Sequence, residues 1–365
     1  MAGKGRTPFI VVVAAFLLGL TAACGNVASG GGPRAGAAPP PSSLRETGST
    51  LLYPLMQAWA GAYHKQVPGM TISTAATGSS TGIADASAGT ADIGTSDAYL
   101  SSGDLVKNPT LLNIPLVISA QVIVYNVPQL GGTHLNLNGQ VLARIYQGTI
   151  TSWNDPAIAK LNPQVRQLPP TAIVPLHRSD GSGDTFLFTS YLSTQDPPWN
   201  AEIGYGTSVA WPSLSGARAA KGNKNMVGTC AAVPGCIAYV GISYLGQATG
   251  DKLGYAALEN AAGHSELPSG PAINASVASF VSSTPPNETI SMVDGPAAGG
   301  YPIVNYEYAI VSTRQPDAAR TRAIKAFLSW VITKGNVPAF LTPVQFEPLP
   351  PAVVTLASEQ IARIG

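Results

Sequence analysis

The chain carries little charge: only 11% of its 365 residues are Asp, Glu, Lys or Arg, about half the share usual in a globular protein. Neither sign prevails, since twenty Lys and Arg stand against nineteen Asp and Glu. That balance leaves no basic field to hold nucleic acid and no acidic tail. Hydrophobic residues make up 45%, so the low charge does not belong to a disordered polyelectrolyte. Histidine is scarce, four residues in all and scattered, and none sits at ligand spacing from a cysteine, which speaks against a metal site. No short repeat points to a solenoid or propeller, and no apolar run reaches the ~20 residues a membrane span requires. Turn formers, by contrast, are abundant. The 39 Gly and 31 Pro exclude a long-helix bundle or coiled coil and predict a loop-rich globular protein. The length suffices for two ordinary domains or one large one.

The first segment reads as a targeting device. Lys4 and Arg6 precede an apolar run from Phe9 to Leu20, and Thr21, Ala22 and Ala23 lead to Cys24. This basic, apolar, small order is that of a secretory signal. A Cys directly after Ala-Ala resembles a bacterial lipobox, with Cys24 acylated and left as the first residue after cleavage. Thr21 stands where Leu is usual, and ordinary cleavage leaving Cys24 as a free thiol is the alternative. Residues 25–43 are mostly Gly, Ala, Pro and Ser with a single charge; they cannot bury a core and read as a flexible stalk. Removal of residues 1–23 takes away Lys4 and Arg6, so eighteen basic residues then face nineteen acidic ones. An anion binder built on this chain works without a strongly positive surface. In an exported protein, Cys230 and Cys236, which bracket a turn with Pro234 and Gly235, are most simply a local disulfide. So small a ring contributes about 2 kcal/mol and fixes a loop more than it holds a fold.

From Leu44 onward strand-like and helix-like segments alternate, which predicts an α/β protein with mixed or parallel sheets. Residues 51–65 place Leu51, Leu52, Leu55, Met56, Trp59 and Tyr63 at helical spacing behind Thr50 as a cap. Strands are expected at 70–76, 91–95, 172–176, 237–244 and 303–311, and helices at 81–88, 140–146, 185–192 and 321–333. The run 114–127 is β-branched and long enough to pass between two domains. Three small-residue clusters share one design: Gly48-Ser49-Thr50, Gly78-Ser79-Ser80-Thr81-Gly82 and Gly181-Ser182-Gly183-Asp184-Thr185 each precede a helix. Helix N-termini present unpaired N–H groups and a partial positive charge, Gly lets the backbone approach closely, and hydroxyls add short donors. Singly, such turns are ordinary caps. Together, in a chain poor in cations, they point to a convergent oxyanion site.

The ordered set ETGSTLLYP, TGSSTGIAD, DIGTSDAYLS, YQGTITSWNDPAIAKLNP and HRSDGSGDTFLFTSYL resembles the PstS family, the phosphate-binding lipoproteins of bacterial ABC phosphate importers. The likeness runs from about Glu46 to Ala352, and the lipobox with the Cys230–Cys236 loop is most similar to mycobacterial members. It implies a two-domain Venus-flytrap fold of the type II periplasmic-binding class, with phosphate in the cleft between a domain of 44–119 plus 297–365 and another of 120–296. It implies phosphate contacts from Ser49, Thr50, Leu51, Ser79 and Asp97 on one side, and from Arg178, Ser182, Gly183 and Asp184 on the other. It also implies a lipid anchor on the extracytoplasmic face of the cell membrane, ABC permease subunits as partners, no cofactor and no catalysis.

Asp184 departs from the family, where Thr or Ser is common. Arg178 supplies a fixed cation with forked donors, whereas Asp97 and Asp184 are acceptors. An ionised carboxylate meets phosphate only through a proton that the phosphate carries; sulfate has none at neutral pH and encounters repulsion and an unmade hydrogen bond. Asp184 is alternatively a helix-start carboxylate that complements the dipole. A binder of another tetrahedral oxyanion and a surface lipoprotein for adhesion or scaffolding are the rival functions. A hydrolase built on His177, Asp180 and Ser182 is disfavoured, because the three crowd into six residues with no third group to poise the base.

Overall fold

The structure, a computed structural model, describes residues 43–365. The expected leader, Cys24 and the stalk lie outside the described residues except for Ser43, which already belongs to the first strand. The strands are β1 (Ser43–Thr47), β2 (Thr71–Ser73), β3 (Ile93–Ser96), β4 (Leu111–Tyr125), β5 (Asn136–Leu137), β6 (Val174–Arg178), β7 (Arg218–Ala220), β8 (Cys236–Gly241), β9 (Gly254–Tyr255), β10 (Ala257–Glu259), β11 (Ser265–Glu266) and β12 (Val304–Ser312). Nine of them form one mixed sheet in the order β2-β1-β3-β12-β4-β8-β6-β7, with β9 also paired to β4, and β11-β10-β5 form a small second sheet.

β4 organises the molecule. All fifteen of its residues are buried, as its unbroken β-branched run demands. From Leu111 to Ala120 it pairs antiparallel with β12, and from Gln121 to Tyr125 with β8. One strand thus serves two halves of the sheet, and the ladder changes partner between Ala120 and Gln121. In each half the neighbouring strands run parallel, β1 with β2 and β3, and β6 with β7 and β8. Their carboxyl ends feed helices, the arrangement in which open α/β sheets place their ligands.

Helical spacing finds its reason in the core. Leu55, Met56, Trp59 and Tyr63 of the helix Tyr53–Gln66 and Ile324, Phe327, Leu328 and Val331 of the helix Ala318–Val331 are all buried. Tyr63 sets its ring edge-on to Phe327 at 5.2 Å and Trp330 at 5.5 Å. Each such side chain removed from water stabilises the fold by about 1.5–3 kcal/mol. Trp59, Trp153 and Trp199 are fully buried, as are Tyr301, Tyr306 and Tyr308; they are packing residues.

Several boundaries differ from the sequence reading. The first helix starts at Tyr53, so Leu51 and Leu52 are buried before it, and Thr50 is not its cap. Ser49 Oγ, one residue earlier, accepts from the Leu52 N–H at 2.9 Å. The second helix begins at Ser79 and another at Gly183, because small residues take helical geometry before the first periodic apolar side chain announces it. The strand expected at 172–176 runs to Arg178, which brings the guanidinium to a strand end. Cys230, in the helix Gly222–Ala232, and Cys236, opening β8, form a disulfide with Cα atoms 5.3 Å apart. No helix among the described residues is long and apolar enough to cross a membrane.

Candidate functional site

The site is assembled from strand ends and helix starts. β1 ends in Gly48, whose φ of +145° is open to glycine alone; a Cβ there would lie 2.0 Å from the Thr95 carbonyl oxygen. That approach lets the Ser49 N–H donate to Thr95 O at 3.0 Å and turns Ser49 and Thr50 under the sheet. Gly78, at φ +102°, plays the same part before the helix Ser79–Ala88. β3 delivers Asp97. From the other half, β6 ends at Arg178, the loop 179–182 follows, and Ser182 is the residue before the helix Gly183–Gln195.

All nine residues expected at the site are buried, and the structure brings them together in one cluster where the two halves touch. Asp97, Ser79 and Ser49 meet first. Ser79 Oγ lies 3.3 Å from Asp97 Oδ2, and Ser49 Oγ donates to Asp97 Oδ1. A Cβ on Gly183 would sit 2.5 Å from the Asp97 Cβ, so the start of the Gly183 helix rests directly against this carboxyl. The Ser80 N–H donates to Gly181 O at 3.2 Å across the same seam. Thr50 Oγ1 accepts from Asn223 Nδ2 at 2.9 Å, and Leu51 O accepts from Ser243 Oγ at 2.7 Å. Ser182 Oγ points to Asp184 Oδ2 at 3.4 Å.

Arg178 is the one cation in the cluster, and carboxylates engage all three of its nitrogens. Nε and one terminal nitrogen donate to Asp180 at 2.7 and 2.5 Å, and the other donates to Asp184 at 2.5 Å. Burial opposes the guanidinium charge, but Asp180 and Asp184 together raise its pKa above the ordinary value. Burial pushes Asp184 up to about 7, with the Asp97 charge adding to the rise, while Arg178, Asn223 and Gln121 restrain it. Asp97 is held well above the usual carboxylate range by burial and by Glu307. One guanidinium therefore serves Asp97, Asp180 and Asp184, with Glu307 behind Asp97. The arrangement is rich in neutral donors and short of positive charge, so a small anion fits it best when protons accompany the anion or the carboxyls.

Three residues of the cluster escape the sequence reading. Asn223, at the start of the helix Gly222–Ala232, bridges Thr50 to Asp184 Oδ2 at 2.8 Å and accepts from the Gly241 N–H at 2.8 Å. Gln121 donates to Asp184 O at 2.6 Å, and Glu307 stands behind Ser49 on β12. Gln121 and Glu307 had left a trace, as polar residues inside otherwise apolar strands; Asn223 left only a Gly-Asn pair at a helix start. The hydrolase grouping is not assembled. His177 stacks on Trp211 at 4.9 Å with Nδ1 3.0 Å from Arg178 O, away from the Ser182 hydroxyl.

A fold of this kind, with two sheet halves and a buried polar cluster at their seam, is that of the extracytoplasmic solute-binding proteins. A profile of the PBP superfamily domain matches residues 34–334, and the phosphate-binding protein of Stenotrophomonas maltophilia superposes with a TM-score of 0.64 at 20% identity, over 87% of this chain and 94% of that one. Two relatives are closer in sequence. The phosphate-binding protein PstS of Methanocaldococcus jannaschii is 35% identical over 88% of this chain and 84% of its own length, and that of Xylella fastidiosa 33% identical over 96% and 95%. The chain belongs to the PstS family, and its fold is the two-domain type II fold of that class.

Proposed function

We propose that this protein captures inorganic phosphate outside the cytoplasmic membrane and hands it to an ABC-type import permease, without chemical change to the anion. The single observation that carries the reading is the meeting of Asp97 and the Ser79 helix start with Arg178 and the Gly183 helix start, at a seam where a lone cation is outnumbered by acceptors. Helix N-termini and hydroxyls supply donors to the anion's oxygens. Arg178 supplies the charge, and Asp97 accepts the proton that phosphate carries and sulfate lacks. Asp184 is a second acceptor or a proton-bearing donor to the same anion. Ser49, in this scheme, serves through Asp97, and Thr50, Leu51, Ser182 and Gly183 close the shell.

The working motion is closure of two domains, 44–119 with 297–365 against 120–296, about the point where β4 changes partner. That division is supported by the pairing of β4 with β12 on one side and β8 on the other. Tethering through acylated Cys24 and a stalk is supported by the basic, apolar, small-residue order of the leader; mass spectrometry of the membrane-extracted protein would show the acylated N-terminal Cys.

Calorimetric titration with phosphate and sulfate at pH 6 and pH 9 tests the function. Phosphate is expected to bind selectively and more weakly at the higher pH, and Asp97→Asn is expected to admit sulfate. Equal affinity for both anions in the parent protein refutes the acceptor role of Asp97.

A further inference from the structure

Asn223 is fully buried at the start of the helix Gly222–Ala232, and the Gly241 N–H fixes which way its amide faces. That backbone donor reaches Oδ1 at 2.8 Å, and an amide nitrogen could not accept it. Nδ2 is therefore turned to the cluster. It gives one proton to Asp184 Oδ2 at 2.8 Å and the other to Thr50 Oγ1 at 2.9 Å. The Asn223 backbone N–H also donates to Thr50 Oγ1, at 3.3 Å.

A hydroxyl oxygen has two lone pairs and one proton. In Thr50 both lone pairs are taken by donors from Asn223, and the proton is given to no group among the described residues. The adjacent carboxyl does not call for it, because Asp184 Oδ2 already accepts from Arg178, Asn223 and Ser182. Thr50 is itself buried, so its proton serves an acceptor that enters the cluster, as an anion oxygen does. Without Asn223 the lone pairs of Thr50 stand open and Asp184 loses a donor, so the hydroxyl is free to turn from the anion.

The two residues belong to opposite halves of the sheet. Thr50 follows β1, whereas Asn223 follows β7 and is anchored through Gly241 to the end of β8. A Cβ on Gly241 would lie 2.3 Å from Leu51 Cγ, so the halves are in close contact at this point. We infer that Asn223 is the positioning residue that makes Thr50 a hydrogen-bond donor to the anion, and that it does so only when the two halves are together. This deepens the phosphate reading and rests on it. Closure and the aiming of the Thr50 proton are then one event: an anion held by one half lacks that bond and gains it as the other half arrives.

Calorimetric titration with inorganic phosphate on a double-mutant cycle tests the inference. Thr50→Val, which keeps the shape and removes the hydroxyl, is expected to lower the affinity of the parent about tenfold. In the Asn223→Leu background the same change is expected to alter affinity less than about twofold, because the proton is no longer aimed at the anion. An Asn223 that serves the fold alone would leave the Thr50→Val loss equal in both backgrounds, and equal losses overturn the proposal. A parent protein that binds no phosphate overturns the phosphate reading and this proposal with it, and the first titration shows that separately. Proton–nitrogen NMR of the parent protein gives a second answer that does not depend on the variants folding. The Asn223 Nδ2 proton that faces Thr50 is expected to become protected from exchange with water when phosphate is added. One already protected without phosphate, or still exchanging freely with it, overturns the proposal.

Discussion

Arg178 shows how much of the site rests on one side chain. Its fork fits two carboxylates at once, a geometry no ammonium reproduces. Replacing it by Met, similar in length and apolar, leaves Asp184 buried and Asp180 half-buried without their cation, and breaking a buried pair in this way costs about 3–5 kcal/mol. Arg178→Met is therefore expected to lower the urea midpoint sharply and to abolish phosphate binding at pH 7, as read by chemical denaturation and calorimetry. This residue was legible in the sequence because it opens the run Arg178 to Thr185, where a cation, turn residues and a helix start follow in fixed order. Asn223 was not. A lone amide near a glycine is common in any turn, and its worth comes only from Thr50 and Asp184, which lie 173 and 39 residues away.

The strand, glycine and helix units carry the next level of the argument. Alternation of strand and helix and the apolar faces were readable, since burial imposes a period on each element. The helices at Ser79 and Gly183 begin two residues before the positions their apolar pattern predicts. Ser, Thr and Gly do not reveal by periodicity that they have joined a helix, and these are the residues whose free N–H groups matter. The sequence predicts β4 as a run long enough to pass between two domains, but not its two partners; strand order depends on contacts between distant segments, which local pattern does not contain. One substitution tests the meeting of units from the two halves. In Gly183→Ala the new methyl would lie 2.6 Å from Asp97 Oδ2 and 2.5 Å from its Cβ, whereas an alanine suits the helix itself better than glycine does. The expected outcome is phosphate affinity reduced at least about tenfold and a melting temperature lowered in phosphate-free buffer as well, since the crowding lies within the fold and costs about 1–3 kcal/mol. Calorimetry and a thermal scan check the two halves of that statement.

For the molecule as a whole, buried acids set the response to pH. Burial pushes Glu46 up to about 8, against the restraining bond from Thr95, and pushes Glu288 up to about 9, with Glu359 adding to the rise. Asp184 follows at about 7. Between the ordinary carboxylate range and these values the folded chain holds protons that the unfolded chain has lost, so stability falls as pH rises. The urea midpoint is expected to be highest near pH 5 and to decline steadily toward pH 9. Glu46→Gln, which cannot ionise, should flatten the decline between about pH 5 and pH 8, and an unchanged slope would show that Glu46 is not among the groups responsible.

The path of the chain through β4 and β12 has a mechanical consequence. Both ends of the described chain belong to the same half: β1 opens it, and the Gly365 N–H returns to Thr313 O, just past β12. Everything from residue 126 to residue 303 is an excursion that leaves by one strand and comes home by its neighbour. Tension applied between the two ends is therefore borne by the outer strands and helices, while the excursion stays slack behind the long antiparallel clasp of β4 on β12. The part of the protein that supplies Arg178 is shielded from a pull on the two ends until that clasp gives way.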